Sequence, residues 1–270
     1  MLFYNFFDYK YDIEGFESDL FSAPHIVFIV AVYIFAFVFS YLLRNARRDR
    51  IAAALKILSI VMVLHEISKI SWESYYDITS GRGFNKVGLL PLYTCSLFIY
   101  TLLAAAWGRG RVKEYSLSFI TTIGLLYGAI GVVYCNGLNY YPFFTFGAFY
   151  SLLFHSTMFV TSVFLLVSGY KELEWKDALR AMVPILLLAL LAIPADYIMR
   201  CDYMLIYSGD GVPLYEDIAA RLAEHGLRPL YTLLMLTTHI PLACVVTGAY
   251  KLIRRALHCE PLPTSERRLS

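Results

Sequence analysis

Long apolar runs alternate with short polar breaks along the chain. Seven of the runs approach or exceed the roughly 20 residues that a helix needs to cross a bilayer. They cover 26–43, 51–70, 87–107, 115–135, 146–168, 181–199 and 229–250. The longest stretch between them, 200–228, is too short to hide a second soluble domain. The pattern predicts an all-α fold: a polytopic membrane helical bundle of seven transmembrane helices, forming a single membrane domain over 1–270. The second run departs furthest from the pattern, because Lys56, His65, Glu66 and Lys69 fall inside it. Outside the runs, Pro213 precedes LYEDIAARLAEH and Gly226 follows it, which is helix punctuation. Leu214, Ile218, Arg221, Leu222 and His225 share one face there, predicting a short helix on the outer surface.

Composition strengthens the membrane reading. Residues of the AVILMFWYC set make up 59% and charged residues 16%, against about 45–50% and about 25% in soluble domains. Such a chain has too little polar surface to wrap a water-facing globule. Its 22 Tyr and 19 Phe suit rings at membrane interfaces. Disordered, collagen-like and disulfide-scaffold classes are excluded, and a net charge of +2 gives no case for nucleic acid. Membrane lipids are the expected partners. Residues 1–20 are not a signal peptide: they carry five carboxylates and one Lys among aromatics, and predict a segment resting at the interface. Alternate inter-span segments hold 15 Lys and Arg on one side and 6 on the other. By the positive-inside rule the N-terminus lies outside and the C-terminus in the cytoplasm, in the cell membrane as a multi-pass protein.

Polar groups at depth are costly, so each needs a partner, a cavity or a function. Helical rise puts Cys95, His155 and His239 at roughly 12–15 Å from the outer end of their spans. His65 and Glu66 come out at roughly 6–8 Å, and Asp196 near 5 Å. These groups are expected to converge on the bundle interior, with Cys95 meeting His155 if spans 3 and 5 are neighbours. Glu66 and Lys69, spaced i, i+3, can neutralise one another. His65-Glu66-Ile67-Ser68-Lys69 looks like the zinc-protease HExxH helix, but Lys69 replaces the second histidine and an ammonium is a poor ligand. No metal and no cofactor is expected. Span 7 lacks the mid-helix Lys of a rhodopsin, and no Walker loop is present. The five cysteines have no zinc spacing, while Cys135 and Cys201, both at the outer face, could form a disulfide.

Leu90-Pro91-Leu92-Tyr93-Thr94-Cys95, with His155 in span 5 and Asp202-Tyr203-Met204-Leu205 after span 6, resembles the YwaF-like family of integral membrane proteins over about residues 60–250. That family is bacterial with an animal branch described as phospholipid acyltransferases using a membrane-embedded cysteine. The resemblance implies that Cys95 is the acyl-accepting nucleophile and His155 the base that activates it. Tyr93 and Asp202 depart from the polar His or Gln and the Asn usual at those positions. Asn136, Asn139 or a span-3 backbone group would supply an oxyanion donor. The expected activity is therefore lipid acyl transfer or a related lipid modification through Cys95 and His155. His65, Glu66, Lys69, Asn136, Asp196 and His239 are then candidate substrate-binding groups. The alternative is a small-molecule or lipid transporter that uses the ionisable groups.

Overall fold

The computed structural model describes residues 5–13, 15–81, 90–209 and 211–257, whose regular structure is all helical. Ala23–Leu42 forms α1, Arg48–Thr79 forms α2 and Leu97–Trp107 forms α3. Gly110–Phe119 is α4, which runs through a π segment, Ile120–Gly124, into α5, Leu125–Val133. Phe146–Val167 is α6, the short Trp175–Arg180 is α7, and Met182–Met199 is α8. Pro213–Glu224 is α9 and Arg228–Ala256 is α10.

Six helical rods among the described residues are long and apolar enough to cross a membrane: α1, α2, the α4–π–α5 rod, α6, α7 with α8, and α10. The seventh predicted span is built differently. Its helix, α3, has 11 residues, a rise of about 16 Å against a hydrocarbon core of about 30 Å. Leu90–Ser96 is irregular, and the predicted start at 87–89 lies outside the described residues. Pro91 supplies no N–H and disfavours helix before it. The chain enters α3 through a tight turn in which Phe98 N donates to Cys95 O at 2.9 Å and Ile99 N to Ser96 O at 3.0 Å. Irregular backbone at membrane depth is tolerated only inside protein or along a cavity, and Leu92 and Ser96 are accordingly buried.

The helix α6 packs against α1, α2 and α5; α3 packs against α2, α4 and α8; α10 lies against α7, α8 and α9. All five residues of the π segment are buried where α3, α6 and α10 meet. A π turn disturbs the regular carbonyl partners of a helix. Here Ser162 Oγ on α6 lies 2.8 Å from Ile120 O and hydrogen-bonds it across the interface. Gly128 brings α5 against α6 so closely that a Cβ there would sit 2.6 Å from Phe159 N. Small residues allow this kind of backbone approach in membranes. Outward faces are apolar: Val30, Ile34 and Phe37 on α1, Ile57 and Leu64 on α2, and Leu187 and Leu190 on α8 are all exposed. A belt of this size is an aggregation surface in water and a solvated one in lipid.

Two predicted surface segments differ in detail. The N-terminal aromatics fold back onto the bundle instead of only resting at an interface. Tyr9 and Ile13 are buried in a cluster with Cys135, Leu138 and Tyr141. Tyr9 stacks on Tyr76 at 4.9 Å. Trp72 Nε1 donates to Phe7 O at 3.1 Å, and Phe146 N to Phe6 O at 2.6 Å. The helix α9 forms where Pro213 and Gly226 place it, but the face it packs carries Tyr215, Ile218, Ala219 and Leu222. Leu214 and His225 are exposed, since the packed face follows Tyr215, Ile218, Ala219 and Leu222 at i, i+3, i+4 and i+7.

Candidate functional site

The irregular start of span 3 carries Cys95, half-buried, toward the side of α2 that holds the ionisable residues. Cys95 lies within electrostatic reach of Lys69 and Glu66 on α2, and of Tyr150 on α6. Three of the sequence candidates converge on that tyrosine. Tyr150 Oη donates a short hydrogen bond to Glu66 Oε2. His65 stacks on the Tyr150 ring at 4.3 Å, and its Nε2 donates to Tyr150 O at 3.1 Å. Lys69 Nζ sits 5.8 Å from the centre of the same ring. Glu66 is 6% exposed, and its Oε1 lies 3.6 Å from Lys69 Nζ while accepting no hydrogen bond among the described residues. Lys69 also reaches Glu73 at 3.8 Å. The HEISK sequence folds this way because i, i+1 and i+4 cover adjoining sectors of one helix face, and a single facing aromatic spans them.

His239 joins the same region from α10 through a residue that sequence reasoning missed. Its Nδ1 lies 3.2 Å from Met235 O and from Leu236 O, so that nitrogen carries the proton. Nε2 is left to accept from Tyr127 Oη at 3.0 Å. Tyr127 is in turn within electrostatic reach of Cys95. On the other flank, Asp196 is fully buried, and its Oδ1 accepts from Tyr203 N at 2.7 Å and Cys201 Sγ at 3.3 Å. Tyr93 links this flank to the thiol: its ring meets Tyr203 at 5.1 Å, and Cys95, Cys201 and Asp196 all influence it. Burial and the Asp196 carboxylate push the Cys201 thiol up to about 11, so it stays protonated at neutral pH.

Other candidates lie elsewhere. His155 Nδ1 donates to Ser151 O at 2.8 Å, and its ring fills the space over Gly131, where a Cβ would come within 2.1 Å of Cδ2. No hydrogen bond among the described residues joins His155 to Cys95. Phe154, its neighbour in sequence, meets α3 at Phe98, with ring centres 6.2 Å apart. Asn136 is exposed in a 3-10 turn, where it accepts from Asn139 Nδ2 at 3.1 Å. Cys135 donates to Ser151 Oγ at 3.2 Å in the N-terminal cluster, whereas Cys201 belongs with Asp196. Both are free thiols, which corrects the disulfide expectation; Cys259 lies outside the described residues.

A bundle of apolar rods with a thiol at a broken span, ringed by buried ionisable groups, defines a multi-pass membrane protein with a polar intramembrane site. The chain belongs to the TMEM164 family, a membrane protein family whose sequence model matches residues 20–247. No curated protein and no solved structure matches the chain.

Proposed function

We propose that this TMEM164 family member is a lipid acyltransferase of the cell membrane, with Cys95 as its acyl-accepting nucleophile and membrane lipids as its substrates. The observation that carries the reading is that Cys95, on irregular backbone, lies within electrostatic reach of Glu66, Lys69 and Tyr150. A buried carboxylate with one oxygen that accepts no hydrogen bond among the described residues, within electrostatic reach of a thiol, can serve as a base for nucleophilic catalysis. Glu66 takes the thiol proton, and the thiolate attacks the ester carbonyl of an acyl lipid. The alkoxide of the lysolipid leaves and recovers the proton from Glu66, leaving a thioester on Cys95. An acceptor hydroxyl then gives its proton to Glu66 and attacks the thioester, which frees the thiol. The Lys69 ammonium, within electrostatic reach of Cys95, would offset developing oxyanion charge, while Tyr150 holds Glu66 through its hydroxyl. The likeness to YwaF-like proteins assigns the base to His155. Its ring sits over Gly131, and no hydrogen bond among the described residues joins it to Cys95, which favours Glu66 instead.

Acyl-thioester trapping tests the proposal. Purified protein incubated with an acyl lipid should carry a hydroxylamine-sensitive acyl mass on the Cys95 peptide. Cys95→Ser and Glu66→Gln should lose it, and His155→Gln should keep it. Acyl transfer retained in Cys95→Ser sinks the reading. A transporter is the second reading, supported by the ladder along α2 of Glu66 and Asp77, both buried, with the half-buried Lys69 and Glu73 between them. It requires solute flux that Glu66→Gln abolishes and Cys95→Ser spares.

A further inference from the structure

Two cavities at the basic end of the bundle share one arginine. The first, of about 530 Å³, is a groove between α3, α4 and α8, lined by Leu97, Thr101, Ala104, Val112, Leu187 and Leu191 among others. Val112, Leu187 and Leu191 are more than half exposed, so the groove opens sideways toward lipid. The second, of about 1060 Å³, is a polar basin between the α3–α4 turn, the start of α2 and the segment leading into α7. Arg111 lines both.

The basin is charged unevenly. Lys171 and Arg180 are committed to Asp177, at 2.7 and 3.3 Å, and Arg180 also to Glu114 at 2.7 Å. Lys176 pairs with Glu174, and Glu172 with Arg254. Asp49 pairs with Arg47. That uses up the carboxylates. Arg48, Arg109, Arg111 and Lys113 have no carboxylate partner among the described residues; Arg48 reaches Gly169 O, and Lys113 lies over the Tyr170 ring. The turn that presents them is forced. At Gly108 a Cβ would sit 2.4 Å from Ala104 O, and Gly110 takes φ +55°, so the chain reverses within two residues and aims Arg109 and Arg111 at the mouth.

An apolar slot open to the bilayer, ending at a cluster of unneutralised cations, matches one kind of molecule. We propose that the groove and basin together bind a single anionic glycerophospholipid. One acyl chain lies between α3 and α8, and the phosphate sits on Arg111 with Arg109 and Lys113. Basic pockets between membrane helices recognise headgroups in this manner. The phosphate end of the site is separate from the Cys95 cluster: Arg111 lies beyond the far end of α3, a rise of about 16 Å away, while the apolar end of the groove reaches Leu97. The site therefore stands whether or not Cys95 performs acyl transfer.

Native mass spectrometry of the full-length protein, released from vesicles of equal phosphatidylglycerol and phosphatidylcholine, reads the site directly. Phosphatidylglycerol should be retained preferentially. Arg111→Gln, at an exposed position, should cut that preference about fivefold, the weight of one basic residue against an anionic lipid. Arg255→Gln, at the same end but outside the basin, should leave it unchanged. Leu187→Trp, which fills the groove without altering charge, should lower retention of both lipids. Glycerol 3-phosphate should fail to displace the bound lipid. Equal retention of the two lipids in the unaltered protein overturns the proposal, as does an Arg255→Gln effect equal to that of Arg111→Gln. Displacement by glycerol 3-phosphate with no effect of Leu187→Trp would make this a site for soluble phosphate, and the lipid assignment falls.

Discussion

Tyr150 is the residue on which the polar site turns, because it is the common partner of His65, Glu66 and Lys69. Removing its hydroxyl leaves the buried Glu66 carboxylate without that donor, a loss of about 1.5–3 kcal/mol for a hydrogen bond to a charged group. Tyr150→Phe should lower the thermal midpoint measurably in detergent, and Tyr150→Ala should cost more because the stacking surface for His65 goes too. A second residue-scale outcome concerns Tyr9. Burial, aided by the Glu73 and Asp77 charges, lifts its phenol from 10.0 to about 12. The folded state therefore favours the neutral ring. Its contribution to stability is whole below pH 10 and is lost as pH rises through about 12. Trp72 fluorescence should report release of the N-terminal segment in that window, and Tyr9→Phe should move the transition upward. At this scale the sequence was half legible. A charge inside an apolar run stands out, which is how His65, Glu66 and Lys69 are found. Tyr150 and Tyr127 are two of 22 tyrosines, and nothing local marks them. Depth along a helix can be computed from rise, but with 3.6 residues per turn the azimuth stays open. Cys95 and His155 match in height, and α6 turns Phe154, not His155, toward α3.

Among the elements, the π segment and the two glycine contacts decide how closely the helices approach. The same substitution should have opposite signs at two glycines. Gly128→Ala places a Cβ 2.6 Å from Phe159 N, against backbone that cannot yield, and overpacking of this kind costs about 1–3 kcal/mol. Gly248→Ala in α10 meets only Trp175 Cη2 at 3.4 Å, an ordinary contact, and should gain up to about 1 kcal/mol of helix propensity. Thermal melts of the two variants in one detergent check the contrast; a stabilised Gly128→Ala would mean that α5 and α6 are not in contact as described. Helix existence was legible because apolar runs of this length have no other solution in lipid. Helix quality was not. Pro91 lies inside the motif that marked span 3, yet a run of apolar residues scores as a span whether its outer half is helical or irregular. The π turn was equally hidden, since ITTIG has no composition of its own and its partner Ser162 is 42 residues away.

At the scale of the whole molecule, the two ends of the bundle have opposite character, and contacts fix which segments share an end. Arg48 reaches Gly169 O, Arg180 reaches Glu114, and Arg254 reaches Glu172, which gathers the starts of α2 and α4, the approach to α7 and the close of α10. Trp72 bonds Phe7 O and Asp19 N bonds Leu138 O, which gathers the N-terminal segment, the end of α2 and the α5–α6 connection at the other end. Among the described residues, Thr79 and Gly110 thus lie at opposite ends although α3 is only 11 residues long, and so do residues 5–13 and Arg254. A translocon reads Lys and Arg near span ends, and the 15 to 6 split falls along this same division. The basic end should therefore face the cytoplasm. A reporter fused after residue 257 is expected to be active only as a cytoplasmic fusion, and one inserted at residue 81, ahead of span 3, only as an external one. If both report the same side, span 3 does not complete its crossing. The Leu90–Cys95 segment would then be a re-entrant loop that returns to the side it entered from.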